Sequence, residues 1–277
     1  MLLSGCKYKF KLWKTKQKHK KSASFLFFFF LCSMNLVLDI GNTRVKAAVF
    51  KENTLVDTWV WERSAALKNT EDILSRFSIK SAMVASVGGS FKELTALLED
   101  SVSSFYILSS FSVMPFEHTY KTPLTLGVDR LAVVAAAQFL YPKKNCLIID
   151  AGSCITYELL TSSGVYLGGG ISPGVQMRYN AMNTQTASLP LLSRPQTVKP
   201  YGESTESCMH SGVVLGVCHE IEGWIQSVEA DLENLTVILT GGDAKYLSKQ
   251  LKNTIFAHPN LALIGINQLL QYQITHA

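Results

Sequence analysis

The stretch LVLDIGNTRVKAAVF, residues 36–50, decides how the rest of the chain is read. Leu36, Val37 and Leu38 have the character of a buried strand, which then meets an ionisable Asp39. Gly41, Asn42 and Thr43 supply a turn, and strand character returns at Val45, Ala47, Ala48, Val49 and Phe50. A carboxylate at the end of a core strand is costly unless it meets a cation or hydrogen-bond donors. Gly41 lets the backbone approach a ligand closely, Asn42 and Thr43 add side-chain donors, and Lys46 on the returning strand can reach the same place. Backbone amides, a hydroxyl and a lysine together make a phosphate cradle, and Asp39 can hold an accompanying Mg²⁺, often through water. The same residues also suit a plain hairpin turn with no ligand.

A second stretch shifts the balance. LIIDAGSCITYELL, residues 147–160, repeats the arrangement of strand, Asp, turn and strand, with Asp150 lying 111 residues after Asp39. Around each copy strands and helices alternate. In the first, strands at 36–40, 44–50 and 54–61 precede a helix at 69–77, a strand at 81–88 ending on Gly88-Gly89, a helix at 90–99 and a strand at 105–110. A loop-rich stretch from 111 to 128 leads into DRLAVVAAAQFLY, an alanine-rich helix that opens on an acid. In the second, VYLGGGISPG reads as strand, glycine loop and helix start, with Pro173 suited to the first helical position. Residues 210–232 read as one long helix, and LTVILTGGDAKYLSKQL as strand, Gly-Gly turn and helix. The pattern is an internal duplication of a half of about 110 to 120 residues, giving two α/β domains with mixed sheets and a cleft between them.

Composition narrows the function classes. The formal charge of +5 comes from the first 33 residues, which hold eight lysines and no acid; residues 34–277 carry 18 basic against 21 acidic side chains. The body is mildly acidic and carries no nucleic-acid footprint. The leader joins KYKFKLWKTKQKHKK to FLFFFFLC, which has the basic and apolar parts of an export signal. Its apolar run is far short of the roughly 20 residues that span a bilayer. Met34 then opens MNLVLDIGNT, where a compact domain begins, so residues 1–33 are read as a mis-set start or a dispensable extension. Cysteines at 6, 32, 146, 154, 208 and 218 form no C-x-x-C pair and show no metal-ligand spacing, which fits a reduced cytoplasmic protein.

The ordered set of an Asp39 turn, an Asp150 turn and TGGDA (240–244) resembles the phosphate-1, phosphate-2 and adenosine motifs of the acetate and sugar kinase/Hsp70/actin superfamily. That resemblance implies two duplicated ribonuclease H-like (actin-like ATPase) domains, 34–144 and 145–277. With YKTPLTLGVDR (120–130), LGGGISPG (167–174) and LTGGDA (239–244), the chain resembles type III pantothenate kinase over essentially all of Met34 to the C-terminus. The implied activity is ATP-dependent phosphorylation of pantothenate to 4'-phosphopantothenate, the entry into coenzyme A synthesis.

Carried onto this sequence, the resemblance assigns Asp39, Ile40, Gly41, Asn42, Thr43, Arg44, Val45 and Lys46 to the ATP phosphate loop, with Asp39 toward Mg²⁺. It assigns Tyr120, Gly127, Val128, Asp129 and Arg130 to pantothenate, with Asp129 as the base. Asp150 matches the ligand of a monovalent cation, K⁺ or ammonium, and Ser153 stands where an ATP-contacting threonine is usual. Thr186, in QTASLP, matches a threonine that reaches substrate across a homodimer interface.

These roles agree with the chemistry. A primary alcohol attacking a phosphoryl group needs a nearby carboxylate to take its proton, and Arg130 can grip a carboxylate in a planar fork. Asp129 at a helix start is also suited to capping that helix. The Gly168–Gly170 run suits either a loop lining the substrate pocket or simple packing. Cys154 beside Ser153 raises a thiol sensitivity. The rival readings are a related small-molecule kinase with another acceptor, and a non-enzymatic accessory regulator of the same family. No membrane or nucleic-acid partner is expected.

Overall fold

The computed structural model describes residues 34–41, 44–86, 91–251 and 255–276. Expectations for the leader, for Asn42 and Thr43 and for Gly88-Gly89 fall outside them.

The first sheet contains β1 (Met34–Ile40), β2 (Arg44–Lys51), β3 (Thr54–Glu62), β4 (Ile79–Ser86) and β5 (Ser104–Leu108) in the order β3-β2-β1-β4-β5. β1, β2 and β3 pair antiparallel as a meander; β4 and β5 add in parallel, reached through α1 (Ala66–Arg76) and α2 (Lys92–Ser101).

The second sheet repeats this order with β7 (Asn145–Ala151), β8 (Cys154–Leu160), β9 (Val165–Pro173), β10 (Leu235–Thr240) and β11 (Phe256–Ala257), arranged β11-β10-β7-β8-β9. Here too the first three strands are antiparallel and the last two parallel. A two-residue strand, β6 (Glu117–His118), extends its β9 edge. The duplication read from the two Asp turns is therefore a duplication of topology.

Three apolar cores fix the layers. α1 and α2 cover the outer face of the first sheet, around Leu36, Leu38, Ile73 and Leu98. The outer face of the second is covered by α4 (Val175–Gln185), α5 (Thr205–His210), a π-helical turn at Ser211–Leu215, α6 (Gly216–Asp231) and α7 (Ala244–Leu247). Between the sheets lie α3 (Val128–Leu140) and α8 (Leu261–His276), packed with Val37 and Ala48 of one sheet and Cys146 and Ile148 of the other. Residues 130–137 of α3 are all buried, and four of the eight are alanine. Small side chains let that helix sit between two sheets without forcing them apart.

Two expectations change. Gly168–Gly170 is strand, within β9, rather than loop. A Cβ on Gly169 would fall 1.6 Å from the Tyr157 carbonyl oxygen, and one on Gly170 would fall 2.6 Å from the Trp224 ring. The glycines let β9 lie tightly between β8 and α6. Pro173 accordingly closes β9, and Gly174 is the N-cap of α4, whose first residue is Val175. The stretch 210–232 is also not one regular α-helix, because the π-helical turn separates α5 from α6.

Among the described residues no helix is long and apolar enough to cross a membrane.

Candidate active site

Strand alternation places the acids. Side chains two apart share a face, so Asp39 continues the face of Val37, and Asp150 that of Ile148. Both apolar residues belong to the core between the sheets. Lys46 lies directly opposite Asp39 in the β1–β2 pairing and so projects to the same side. Thr156 lies opposite Asp150 in the second hairpin. Each hairpin is closed by its glycine, with Gly41 N–H donating to the Arg44 carbonyl at 3.0 Å and Gly152 N–H to the Cys154 carbonyl at 2.9 Å.

Asp129 enters from α3. Gly127 is the N-cap residue, and a Cβ there would come within 2.4 Å of Asp129 Oδ1. Oδ1 accepts the Arg130 amide at 2.9 Å, so Asp129 does help to cap its own helix. No other hydrogen bond or ion pair reaches its carboxylate among the described residues.

Electrostatics shows that the acids share one site. Burial raises the Asp39 carboxyl above its ordinary range; Lys46 opposes this and Asp129 adds to it. Burial likewise pushes Asp150 up to about 6, with Lys46 opposing and Asp39, Asp129 and Glu158 contributing. Asp39 and Asp150 thus share the influence of one lysine, with the Asp129 carboxylate near enough to add its negative charge to both. That excess of negative charge would repel a polyphosphate unless a cation came with it, so the site suits a metal–nucleotide complex. Among the described residues no three acidic, histidine or cysteine side chains could hold a metal by themselves. A Mg²⁺ here would share its coordination with phosphate oxygens and water.

Arg130 is more committed than its sequence context suggests. Nε donates to Glu158 Oε1 at 2.7 Å and Nη2 to Oε2 at 2.8 Å, while Nη1 donates to the Tyr120 hydroxyl at 3.2 Å. The Tyr166 hydroxyl donates to Glu158 Oε2 at 2.5 Å. Burial disfavours the guanidinium charge, but the paired bonds to Glu158 outweigh it and keep Arg130 protonated. Tyr120 and Tyr166 stack with ring planes 4° apart. Glu158 went unrecognised in the sequence because an acid in the β8 pattern looks like a solvent-facing position. The register that sets it opposite Ile148, facing the central core, is a tertiary fact.

The remaining expected residues divide by position. Ile40 and Val45 are fully buried in the outer core of the first sheet, so only their backbone can meet a nucleotide. Arg44 is exposed and pairs with Glu62 at 3.9 Å. Ser153 is exposed at the second turn, where its carbonyl accepts the Gly174 amide at 3.0 Å. The Gly241 turn packs on the same spot: with φ at +97°, a Cβ there would meet Asp150 Oδ1 and the Ala151 carbonyl, each at 2.4 Å. Asp243 donates its amide to Ala151 O at 2.9 Å, and its side chain pairs with Arg194.

Thr186 lies elsewhere. α4 starts against the Ser153 turn and carries the chain about 16 Å along its axis before Thr186 is reached. There the exposed hydroxyl donates to the Met182 carbonyl at 2.7 Å.

Two sheets of matching order, two Asp-bearing hairpins and a Gly-Gly turn closing on one site define a protein of the actin-like ATPase fold. A family model described as type III pantothenate kinase matches residues 35–227. A type III pantothenate kinase of Flavobacterium psychrophilum is 47% identical over 241 residues, covering 87% of this chain and 100% of that protein. One from Christiangramia forsetii is 44% identical over 243 residues, with 87% and 100% covered. Among solved structures, a conserved putative Baf family transcriptional activator from Campylobacter jejuni superposes with a TM-score of 0.58 at 19% identity, covering 87% of this chain and 99% of its own. An activator of 2-hydroxyisocaproyl-CoA dehydratase from Clostridium difficile, with bound ADPNP, gives 0.51 at 15% identity, with 88% and 95% covered. The chain belongs to the type III pantothenate kinase family.

Proposed function

We propose that this protein transfers the γ-phosphoryl group of ATP to the primary alcohol of pantothenate, giving 4'-phosphopantothenate and ADP. The observation that carries the reading is the convergence of Asp39, Asp129 and Asp150 with Lys46, in a chain of this family. Phosphoryl transfer asks the protein mainly to position the reactants and balance charge. Lys46 and the Asp39 turn hold the phosphates. Mg²⁺ held through Asp39 supplies charge neutralisation on the phosphate oxygens.

Asp129 takes the alcohol proton. Its Oδ1 is occupied by the Arg130 amide, which leaves Oδ2 as the accepting atom. As the substrate oxygen bonds to phosphorus, the bond to the ADP oxygen breaks and ADP leaves with that electron pair. Arg130 and Tyr120 receive the substrate carboxylate, with Gly127 and Val128 beside them. Asp150 holds a monovalent cation, K⁺ or ammonium, and Ser153 contacts ATP. Thr186, exposed and distant along α4, serves the site of a second copy in a homodimer. The working compartment is the cytoplasm.

The test is ADP release by protein starting at Met34, with MgATP, with and without pantothenate, in K⁺ or Na⁺. Pantothenate-dependent release, greater in K⁺, supports the reading. Folded, ATP-binding protein with no pantothenate-dependent release overturns it and favours another acceptor or a regulatory role.

A further inference from the structure

We infer that Glu158 is the positioning residue of the substrate-carboxylate site, holding the Arg130 guanidinium in the one orientation that can receive an acceptor. The inference rests on the pantothenate kinase reading above.

A guanidinium has five N–H donors in a fixed plane. Glu158 takes two of them, one on Nε and one on Nη2, and the Tyr120 hydroxyl takes one on Nη1. One N–H on each terminal nitrogen therefore has no partner among the described residues. Those two N–H groups are the donors left for an incoming carboxylate. Glu158 is itself wholly buried and Arg130 is 5% exposed, so neither group has water to replace the other. Within a buried pair, removing one partner leaves an uncompensated charge and a guanidinium free to turn.

The pair also sets how the substrate is recognised. Arg130 and Glu158 cancel in formal charge, so an incoming carboxylate meets aimed donors rather than a net positive field. Discrimination then depends on the aim of those donors. Glu158 fixes that aim from β8, anchored by the Tyr166 hydroxyl, which donates at 2.5 Å to the same Oε2 that accepts Nη2. Tyr166 stacks in turn on Tyr120, which closes the ring of contacts around the guanidinium. Glu158 touches neither substrate nor reacting atoms; it acts through Arg130.

The experiment is steady-state kinetics of the full chain with both substrates varied, for wild type, Glu158→Gln and Tyr166→Phe. Each is assayed with pantothenate and with its primary carboxamide, which keeps the alcohol and removes the carboxylate. The glutamine amide can accept one arginine N–H but presents donors to the other. The expected result for Glu158→Gln is a pantothenate KM raised about tenfold or more, with kcat and the ATP KM within about threefold. Its preference for pantothenate over the carboxamide falls by about tenfold or more.

Tyr166→Phe keeps both arginine bonds and loses one anchor, so pantothenate KM alone rises by about threefold. That variant decides the matter if circular dichroism shows Glu158→Gln to be unfolded. Loss of kcat with an unchanged pantothenate KM and unchanged preference, in folded protein, overturns the inference while leaving the kinase reading intact. An unchanged KM in Tyr166→Phe, where only that variant folds, does the same. Wild type without pantothenate-dependent turnover overturns both.

Discussion

Gly265→Ala tests the packing that seats α3, the helix carrying Asp129, between the two sheets. Gly265 of α8 faces Ala132 of α3 so closely that a Cβ would fall 1.7 Å from the Ala132 carbonyl oxygen and 2.5 Å from its carbon. Ordinary contact needs roughly twice that distance, so the helices must separate, and α3 lies between two sheets that resist it. Overpacking of this kind costs typically 1–3 kcal/mol, and this overlap belongs at the upper end, about 3 kcal/mol. Alanine gains back about 1 kcal/mol in helix propensity, leaving a net loss of about 2 kcal/mol. For a chain of this size that lowers the thermal midpoint by about 4–8 °C.

The matched control is Gly223→Ala in α6, where a Cβ would meet nothing within 4 Å. It should gain up to about 1 kcal/mol, which raises the midpoint by about 2–4 °C. Thermal melts followed by circular dichroism read both. A Gly265→Ala midpoint at or above wild type would show that α3 and α8 do not touch backbone to backbone, and the layered account of the centre would fail.

Two further outcomes follow from charge. Glu220 accepts from Arg178 at 2.5 Å, Tyr157 at 2.8 Å and Ser172 at 3.1 Å; burial raises its carboxyl, but these bonds outweigh it and hold it below the ordinary range. A depressed carboxyl contributes stability that is present above its unfolded pKa and lost as pH falls through the folded one. Glu220→Gln should therefore melt below wild type near neutral pH, with the gap closing below about pH 4; a gap independent of pH would refute this. Asp150 has the opposite sign: its carboxyl is raised to about 6, so its contribution is present below its unfolded pKa and lost as pH rises through about 6. Ligand-free Asp150→Asn should then melt above wild type at about pH 8 and lose that advantage by about pH 4. A variant less stable than wild type at the higher pH would show that the charge is already compensated within the protein.

The sequence made the two Asp hairpins and the Gly-Gly turn legible because each is local: a strand, an acid and a turn residue a few positions apart. Asp129 at a helix start was legible for the same reason. What was not legible depends on which strand lies beside which. Glu158 becomes a partner of Arg130 only once β8 pairs with β7 and turns that residue toward the central core. The Gly168–Gly170 run looks like a loop until the Tyr157 carbonyl and the Trp224 ring occupy the space a side chain would need. α8 buries Leu261, Leu263, Ile266, Leu269 and Leu270 on several of its sides because it packs in the layer between two sheets, so its apolar residues do not form the single stripe from which an amphipathic helix is read.

The most direct test of the account is turnover by Asp129→Asn beside its binding of ATP. If Asp129 accepts the alcohol proton, asparagine keeps the shape, removes the base, and lowers pantothenate-dependent ADP release by about 10²-fold or more, while nucleotide binding stays near wild type. Turnover within about tenfold of wild type would contradict the account.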